Sequence, residues 1–333
     1  MTTDEELGER AIITLIKQQL GHQPKLELPF GDDAVAFQVK GSPIGVLKTD
    51  MLVAKTDIPP GMTTRQAARK AMVMCISDFA AKGVKPHLAL IALGIPPTLK
   101  TTDINNLALG LRDATKEYNI HIVGGDTNEA DDLIISPTLY GETKKNQIIP
   151  RNGAKPNDIV TVSGPFGNTS ASLKILLENY KAPPTLKQRI LKAIYNPQAK
   201  LNLGLRLKQY GTTAAIDSSD GLAWSLNELA TASRVGFEIH TLPITEEAAT
   251  FAKLNQLDPF NLTFYGGEEY EIVATIPPDR IDEAKQALGN QLVEIGRVTR
   301  KRGMIFKSGK VRREIEARGW EHLRRSQPST ANA

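Results

Sequence analysis

Residues 63–83 read TTRQAARKAMVMCISDFAAKG and predict one long helix. Thr63 and Thr64 offer hydroxyls that can cap its start, and Gly83 supplies a stop after about Lys82. Positions 71, 75 and 78 are spaced i, i+4 and i+7, so they share one face. Asp78 therefore places a carboxylate on an otherwise apolar stripe. Burying it unpaired is costly, so a metal ion, a basic side chain or hydrogen-bond donors must meet it.

Both helices and strands are predicted before and after this helix. In the first half we predict helices at 5–20 and 103–118 and strands at 34–39, 44–53, 87–95, 120–123 and 133–140, with 87–95 buried. In the second half we predict strands at 159–163, 214–216, 236–240 and 271–276 and helices at 169–180, 222–233 and 280–288. Short turns between neighbouring strands favour an α+β arrangement over a doubly wound parallel sheet.

The polar stretch 146–158 contains Pro150, Gly153 and Pro156 and is the best candidate for a junction between domains. At 333 residues the chain is long enough for about two domains at roughly 150 residues each. We therefore predict an N-terminal domain at 1–150 and a C-terminal domain at 151–333. Residues 326–333 are expected to form a frayed tail.

Composition narrows the class of protein. The 41 basic and 37 acidic residues give a net charge of +4, too weak to indicate a nucleic-acid coat. The single cysteine, Cys75, excludes intrachain disulfides and multi-thiolate metal sites. The acidic N-terminus shows no export signal, and the longest apolar run is far short of the ~20 residues of a membrane span, so we expect a cytoplasmic protein outside the membrane.

A basic stretch at 297–325 suggests a possible nucleic-acid patch. Glu314, Glu316 and Glu321 interrupt it and Trp320 is nearly its only aromatic residue. Such interruption favours a solvated face over an RNA or DNA surface.

Aspartates recur where strands end or glycine turns begin: Asp32, Asp33, Asp50, Asp126, Asp217 and Asp220. Any one of them is as well explained by the preference of Asp for turns. Together with Asp78 they suggest a shared site, because loops at strand ends assemble most sites. Oxygen ligands select hard ions such as Mg²⁺, which commonly bridge carboxylates to phosphates. Phosphoryl chemistry is the resulting hypothesis, although no P-loop or protein-kinase motif occurs.

Two glycine turns are ambiguous. The turn at 164–167 precedes a helix and could bind an anion at its N-terminus, although a plain tight turn is the simpler interpretation. The stretch Gly266-Gly-Glu-Glu-Tyr270 could place a carboxylate in a cleft, or it could be ordinary glycine punctuation.

The ordered motif set resembles the thiamine-monophosphate kinases over nearly the whole chain. The motifs are Gly31-Asp-Asp-Ala34, Lys48-Thr-Asp50, Ser77-Asp-Phe-Ala-Ala81, Gly124-Gly-Asp-Thr127, Asp217-Ser-Ser-Asp-Gly-Leu222 and Gly266-Gly-Glu-Glu-Tyr270. The resemblance implies an α/β (α+β) two-domain fold shared with aminoimidazole ribonucleotide synthetase. In that fold the N-terminal domain forms a dimer interface across a β-barrel, and a C-terminal α+β domain completes the active site.

The resemblance also implies a reaction, in which ATP transfers its γ-phosphoryl group directly to thiamine monophosphate, with several Mg²⁺ ions, in a homodimer. No general base is required, because the attacking phosphate oxygen is already ionised. The metal positions implied are Asp33, Thr49, Asp50, Asp78, Asp126, Asp217 and Asp220. The nucleotide positions implied are Tyr118, Gly125, Asp126, Arg151 and Ser219, and the thiamine positions are Glu268 and Trp320.

Two positions depart from the family pattern. Bacterial members commonly have a hydroxyl residue where this chain has Lys48, so a metal position there could lose a ligand or be replaced by the ammonium group. Asp57 stands where many members have a substrate-contacting histidine.

Two alternatives of different classes remain. One is an ATP-dependent ligase similar to aminoimidazole ribonucleotide synthetase. The other is a non-catalytic module that binds divalent ions or nucleic acid through its basic C-terminal region. The related selenophosphate synthetases and hydrogenase-maturation dehydratases need reactive cysteines near a terminus, which this chain lacks.

Overall fold

A computed structural model describes residues 8–20, 24–29, 31–40 and 43–321. The predicted tail at 326–333 lies outside these residues. The first half forms a six-stranded sheet with four helices. Its elements are α1 (Glu9–Leu20), β1 (Val35–Gln38), β2 (Ile44–Thr49), β3 (Leu52–Val53), α2 (Ala54–Asp57), α3 (Thr64–Ala81), β4 (Pro86–Ile95), α4 (Thr101–Tyr118), β5 (His121–Glu129) and β6 (Ile134–Thr143). The strand order is β1-β2-β6-β4-β5, and β3 pairs with β6.

The long helix predicted from 63–83 is confirmed as α3. Thr63 and Gln66 cap it reciprocally: the Gln66 N–H donates to Thr63 Oγ1 at 3.3 Å, and the Thr63 N–H donates to Gln66 Oε1 at 2.9 Å. The helix is buried on nearly all sides over its last three turns. Near the start of α3, α4 crosses it closely at Gly110, where a Cβ atom would lie 2.0 Å from the Arg65 carbonyl oxygen.

Strands β4 and β5 differ from their predictions. The expectation that 87–95 is buried is wrong, because alternate residues of β4 face outward and leave Leu88 and Leu90 exposed. Strand β5 continues through Gly124-Gly125-Asp126 instead of ending before them, and it exposes Ile122 and Val123. Since β1 and β5 are the two edges, the sheet is open within one chain.

The second half forms a seven-stranded sheet in the order β13-β12-β9-β11-β7-β10-β8. Its elements are β7 (Ile159–Val162), α5 (Asn168–Leu177), α6 (Pro184–Tyr195), α7 (Leu201–Leu207), β8 (Ala214–Ser218), α8 (Leu222–Ser233), β9 (Gly236–Ile239), α9 (Glu246–Leu254), α10 (Pro259–Phe264), β10 (Glu271–Ile276), α11 (Ile281–Leu288), β11 (Val293–Thr299), β12 (Gly303–Ser308) and β13 (Val311–Glu314). Except for β4–β5 and β9–β12, the paired strands are antiparallel. This agrees with the α+β expectation.

The basic stretch at 297–325 contributes to folding as well as to the surface. It supplies the last three residues of β11 and all of β12 and β13, strands that the sequence did not predict. Arg313 Nη1 lies 2.6 Å from Asp258 Oδ2, and its guanidinium carbon lies 3.9 Å from the centre of the Phe260 ring. Part of the positive charge is therefore committed to contacts within the chain.

Helix α3 connects the two halves. At Gly204 of α7 a Cβ atom would lie 2.0 Å from the Ala80 carbonyl oxygen, so the two helices are in close backbone contact. Beyond the end of α3, Lys82 Nζ donates to the Ala215 carbonyl oxygen of β8 at 2.8 Å. One hydrophobic core accordingly includes residues of both sheets. The boundary near residue 150, within the connection between β6 and β7, remains a prediction. Among the described helices, none is both long and apolar enough to cross a membrane.

Candidate active site

Three buried carboxylates converge where α3 meets the second sheet. Asp33 precedes β1, Asp78 lies near the end of α3, and Asp217 lies in β8. One oxygen from each carboxylate lies within 4.8 Å of the others, and each residue is at most 6% exposed. We call these three residues the acidic cluster. Segments far apart in sequence therefore meet at one point, as the aspartate pattern predicts.

Negative charge in the acidic cluster is unfavourable without a cation. Burial, with repulsion from Asp33, raises the pKa of Asp217 to about 7. Burial also raises the pKa of Asp78 well above its usual range, although Lys48 opposes this. Two unit charges 4 Å apart repel by about 4 kcal/mol at an effective dielectric constant of 20. The hydroxyl of Ser77 donates to Asp217 Oδ2 at 2.9 Å, but one neutral donor cannot balance this charge.

Asp33 is held by cations on one side. Its carboxylate pairs with Arg151 and lies 2.9 Å from Lys82 Nζ. These charges outweigh the effect of burial and lower the pKa of Asp33. Asp33 Oδ2 nevertheless accepts no hydrogen bond. Lys82 Nζ contacts this oxygen as an ion pair, so its negative charge is already partly balanced within the chain.

Lys48 meets the acidic cluster from β2. Its Nζ lies 2.9 Å from Asp78 Oδ2 and 3.3 Å from Asp50 Oδ1. Burial disfavours the ammonium, but Asp78 and Asp50 outweigh this and raise the pKa of Lys48 well above its usual value. The sequence left open whether Asp78 meets a basic side chain or a metal ion. The structure shows an ion pair between Asp78 and Lys48, with the carboxylates of Asp33 and Asp217 close by.

The donor set fits a hard divalent ion. It consists of carboxylate oxygens without thiolate or imidazole, the chemistry that Mg²⁺ prefers. The raised pKa values of Asp78 and Asp217 indicate that a further cation beside these two carboxylates would be stabilising.

The remaining predicted metal residues surround the acidic cluster less closely. Thr49 is next to Asp50, and its hydroxyl donates to the Pro137 carbonyl oxygen at 3.2 Å. Asp126 is exposed on β5. Asp220 Oδ2 lies 3.5 Å from Arg10 Nη2 of α1. The structure therefore groups three of the seven, connects Asp50 through Lys48, and leaves the others outside this group.

The predicted nucleotide residues occupy two regions. Arg151 bridges Asp33 and Glu228, and exposed Ser219 directly follows β8. Gly125 has a structural requirement of its own, because a Cβ atom there would lie 1.9 Å from the Ile91 carbonyl oxygen of β4. Tyr118 lies instead at the end of α4.

The hydroxyl of Tyr118 accepts a hydrogen bond from the Ala199 N–H at 3.0 Å. Burial and the neighbouring Glu117 raise its pKa to about 12. Tyr118 lines a cavity of about 490 Å³ between the two halves, together with Lys200 and Asn202. Its contacts are with the segment before α7, not with the acidic cluster.

The two predicted thiamine residues lie near each other. A Cβ atom on Gly267 would be 3.7 Å from Trp320 Cβ, and the Trp320 N–H donates to the Asp220 carbonyl oxygen at 3.0 Å. Glu268 pairs with Lys70, whose Nζ also donates to the Asp57 carbonyl oxygen at 2.8 Å. The Asp57 carboxylate accepts from the Val53 N–H at 2.7 Å. In this structure Asp57 therefore shapes its own backbone turn.

Sequence reasoning did not assign roles to Lys70 and Lys82. Both are almost completely buried on or just after α3, and both hold carboxylates of the site. Their signal was available: Lys70 and Lys82 flank the mostly small and apolar stretch 71–81, and buried lysines need partners.

The two ambiguous glycine turns bind each other. Glu269 Oε1 accepts from the N–H groups of Gly167, at 2.6 Å, and Thr169, at 3.3 Å, at the start of α5. The N-terminus of α5 therefore binds a side chain of the chain itself. Burial raises the pKa of Glu269 to about 7, although these donors oppose it.

Both halves of the chain match known proteins. Residues 31–143 match the N-terminal domain and residues 155–308 the C-terminal domain of AIR synthase related proteins. The thiamine-monophosphate kinase of Nitrosopumilus maritimus is 38% identical over 96% of this chain and 99% of its own length. The chain belongs to the thiamine-monophosphate kinase family.

Other thiamine-monophosphate kinases are similarly related. Those of Pyrococcus abyssi and Bacillus subtilis are 35% and 30% identical over 88% and 96% of this chain, and over 90% and 100% of their own lengths. The structure described as "AaThiL complexed with AMPPCP and TMP" superposes with a TM-score of 0.83 at 28% identity, covering 97% of this chain and 99% of that one. Thiamine monophosphate kinase from Aquifex aeolicus superposes with a TM-score of 0.79 at 28% identity, covering 93% and 99%.

Proposed function

We propose that this chain catalyses the ATP-dependent phosphorylation of thiamine monophosphate, giving thiamine diphosphate and ADP. The observation that carries the proposal is the convergence of Asp33, Asp78 and Asp217 in a member of the thiamine-monophosphate kinase family. The family resemblance supplies the substrates, and the acidic cluster supplies a place where two negatively charged phosphate groups can be brought together.

The acidic cluster and Asp50 are the proposed centre of the metal site. Asp126, Thr49 and Asp220 are proposed as outer ligands. Mg²⁺ bound to these oxygens would neutralise charge on both phosphate groups and hold them in line. The exposed carboxylate of Asp126 is available for this role without rearrangement of the core.

The chain's own cations and loops position the reactants. Arg151 is proposed to contact the nucleotide, with Ser219, Gly125 and Tyr118 as further nucleotide positions. The attacking oxygen of thiamine monophosphate is ionised near neutral pH, so no side chain is needed as general base. Catalysis then consists of positioning and of stabilising charge.

The thiamine ring is proposed to bind beside the 266–270 loop. Trp320 is 54% exposed and offers a surface for stacking, and Glu268 offers an acceptor for the pyrimidine amine. Lys70 restricts the Glu268 carboxylate from within α3, which fixes its direction. We assign no substrate contact to Asp57.

A homodimer is proposed through β4 and β5. These two neighbouring strands expose Leu88, Leu90, Ile122 and Val123. Several large apolar side chains exposed close together are typical of an interface. A second copy of the chain would cover these side chains.

The proposed location of the protein is the cytoplasm, where ATP is supplied.

The test is an assay of purified full-length protein with ATP, Mg²⁺ and thiamine monophosphate. We expect thiamine diphosphate and ADP in equal amounts, separated by chromatography. Formylglycinamidine ribonucleotide is the comparison substrate. Its consumption, with thiamine monophosphate unchanged, would instead identify a ligase similar to aminoimidazole ribonucleotide synthetase.

A further inference from the structure

Three basic side chains contact the buried aspartates, and one of them differs from the other two. Lys82 Nζ is inaccessible to solvent and is fixed by the Ala215 carbonyl oxygen as well as by Asp32 and Asp33. Arg151 is likewise tied to the Gly31 carbonyl oxygen and to Glu228. Lys82 and Arg151 therefore also hold separate segments of the fold together.

Lys48 contacts carboxylates on both sides. Its Nζ lies between Asp78 Oδ2, at 2.9 Å, and Asp50 Oδ1, at 3.3 Å, and its side chain is only 22% exposed. A cation placed between two carboxylates from different elements is the arrangement expected of a bridging metal ion.

The same space cannot hold both an ammonium and a divalent ion. Mg²⁺ binds carboxylate oxygens at about 2.0–2.1 Å and retains several waters. An ion bridging Asp50 and Asp78 would lie almost on Lys48 Nζ, and their positive charges would repel each other. The Lys48 ammonium therefore excludes a metal ion from this position while supplying part of its charge.

We propose that Lys48 acts as a built-in cation that replaces one divalent ion between Asp50 and Asp78. The inference rests on the proposed function only in assuming that the acidic cluster binds divalent ions. It adds that this chain binds one ion fewer than its carboxylates alone could hold. Lys48 is also a permanent positive charge at the edge of the site where phosphate groups are proposed to meet.

The test counts the Mn²⁺ ions bound per chain, by electron paramagnetic resonance of the free ion, in full-length protein at pH 7.5. Lys48→Ser removes the ammonium and opens the space, so it should bind one more ion than the unaltered chain. Lys48→Arg keeps the charge and should bind the unaltered number. Lys307→Ser is the matched control, because it removes one exposed positive charge on β12.

Loss of the ammonium also leaves the buried carboxylate of Asp78 facing the partly exposed carboxylate of Asp50 without a cation between them. Lys48→Ser should therefore melt at a lower temperature than the unaltered chain in EDTA, and Mn²⁺ should raise its melting temperature more. Lys48→Ala provides a second route to the same count if the serine variant does not fold. An unchanged or smaller ion count in the folded Ser or Ala variant would overturn the inference.

This outcome is separable from the proposed function. If the unaltered chain phosphorylates thiamine monophosphate but Lys48→Ser binds the same number of ions as the unaltered chain, only the role of Lys48 is rejected. If Lys48→Ser binds an extra ion but the unaltered chain forms no thiamine diphosphate, the proposed reaction is rejected and the role of Lys48 stands.

Discussion

At the scale of single residues, substitution of Asp126 distinguishes a role in metal binding from a role in the fold. It is exposed on β5, and Asp126→Asn keeps its size, so the fold should not change. Loss of one ligand charge should lower kcat by about 100-fold or more, the usual size of losing one electrostatic contact to a transition state. Steady-state kinetics test this, with the exposed Asp282→Asn of α11 as control. Near-normal turnover in folded Asp126→Asn would remove Asp126 from the site.

Trp320 should act on one substrate only. Its backbone packs beside the 266–270 loop, on the proposed thiamine side. Trp320→Ala should raise KM for thiamine monophosphate about 5-fold or more, because one lost stacking contact is worth about 1 kcal/mol or more. KM for ATP should stay the same. Equal KM values for thiamine monophosphate in both proteins would show that the indole does not bind it.

Residue-level sequence reasoning found the acidic cluster because carboxylates at strand ends and on the α3 stripe need partners. The sequence alone could not show which basic side chains form ion pairs with these carboxylates. Lys82 reaches Asp32 and Asp33 across 50 and 49 residues, and Arg151 reaches Asp33 across 118. Such pairs depend on tertiary packing and have no local spacing signal. Lys48 was singled out in the sequence, but its contact with Asp78 required the structure.

At the scale of elements, the contact between the 266–270 loop and the start of α5 should make stability depend on pH. Glu269 keeps its proton up to about pH 7 in the folded chain but releases it near its ordinary value of 4.5 when unfolded. The unfolded state thus binds fewer protons between these values, so this residue lowers stability as pH rises through that window. The loss is up to about 3 kcal/mol.

Glu269→Gln removes this titration while keeping an oxygen that can accept from Gly167 and Thr169. Its free energy of unfolding, from urea denaturation, should fall less between pH 5 and pH 8 than that of the unaltered chain. The exposed Glu283→Gln of α11 should follow the unaltered chain. Equal pH dependence in Glu269→Gln and the unaltered chain would contradict the account.

Elements were predictable where their signals are local. Helix α3 has a capping box and a glycine stop, and β10 has the bounds that its apolar run predicted. Strand β5 was cut short, because Gly124 and Gly125 indicate a turn by sequence alone. In the structure Gly125 is needed for the close approach of β4. The strands after residue 292 were missed because their alternation is weakened by many basic residues.

At the scale of the whole molecule, the exposed apolar side chains of β4 and β5 predict a dimer. Val123→Glu places a charge on the more exposed of the two large apolar residues of β5 and should shift the protein to a monomer. Light scattering after size-exclusion chromatography measures the mass. Val311→Glu alters a similarly exposed residue on β13 and should leave the dimer unchanged. A monomeric unaltered chain, or a dimeric Val123→Glu variant, would refute this interface.

The central claim is that the carboxylates of Asp33, Asp78 and Asp217 bind divalent ions where the two phosphate groups meet. The most direct measurement is a crystal structure of the full chain with Mn²⁺, a non-hydrolysable ATP analogue and thiamine monophosphate, with anomalous scattering used to locate the manganese. We predict anomalous peaks within coordination distance of these carboxylates and of oxygens from both ligands. Both ligands bound with no manganese at these three residues would contradict the account.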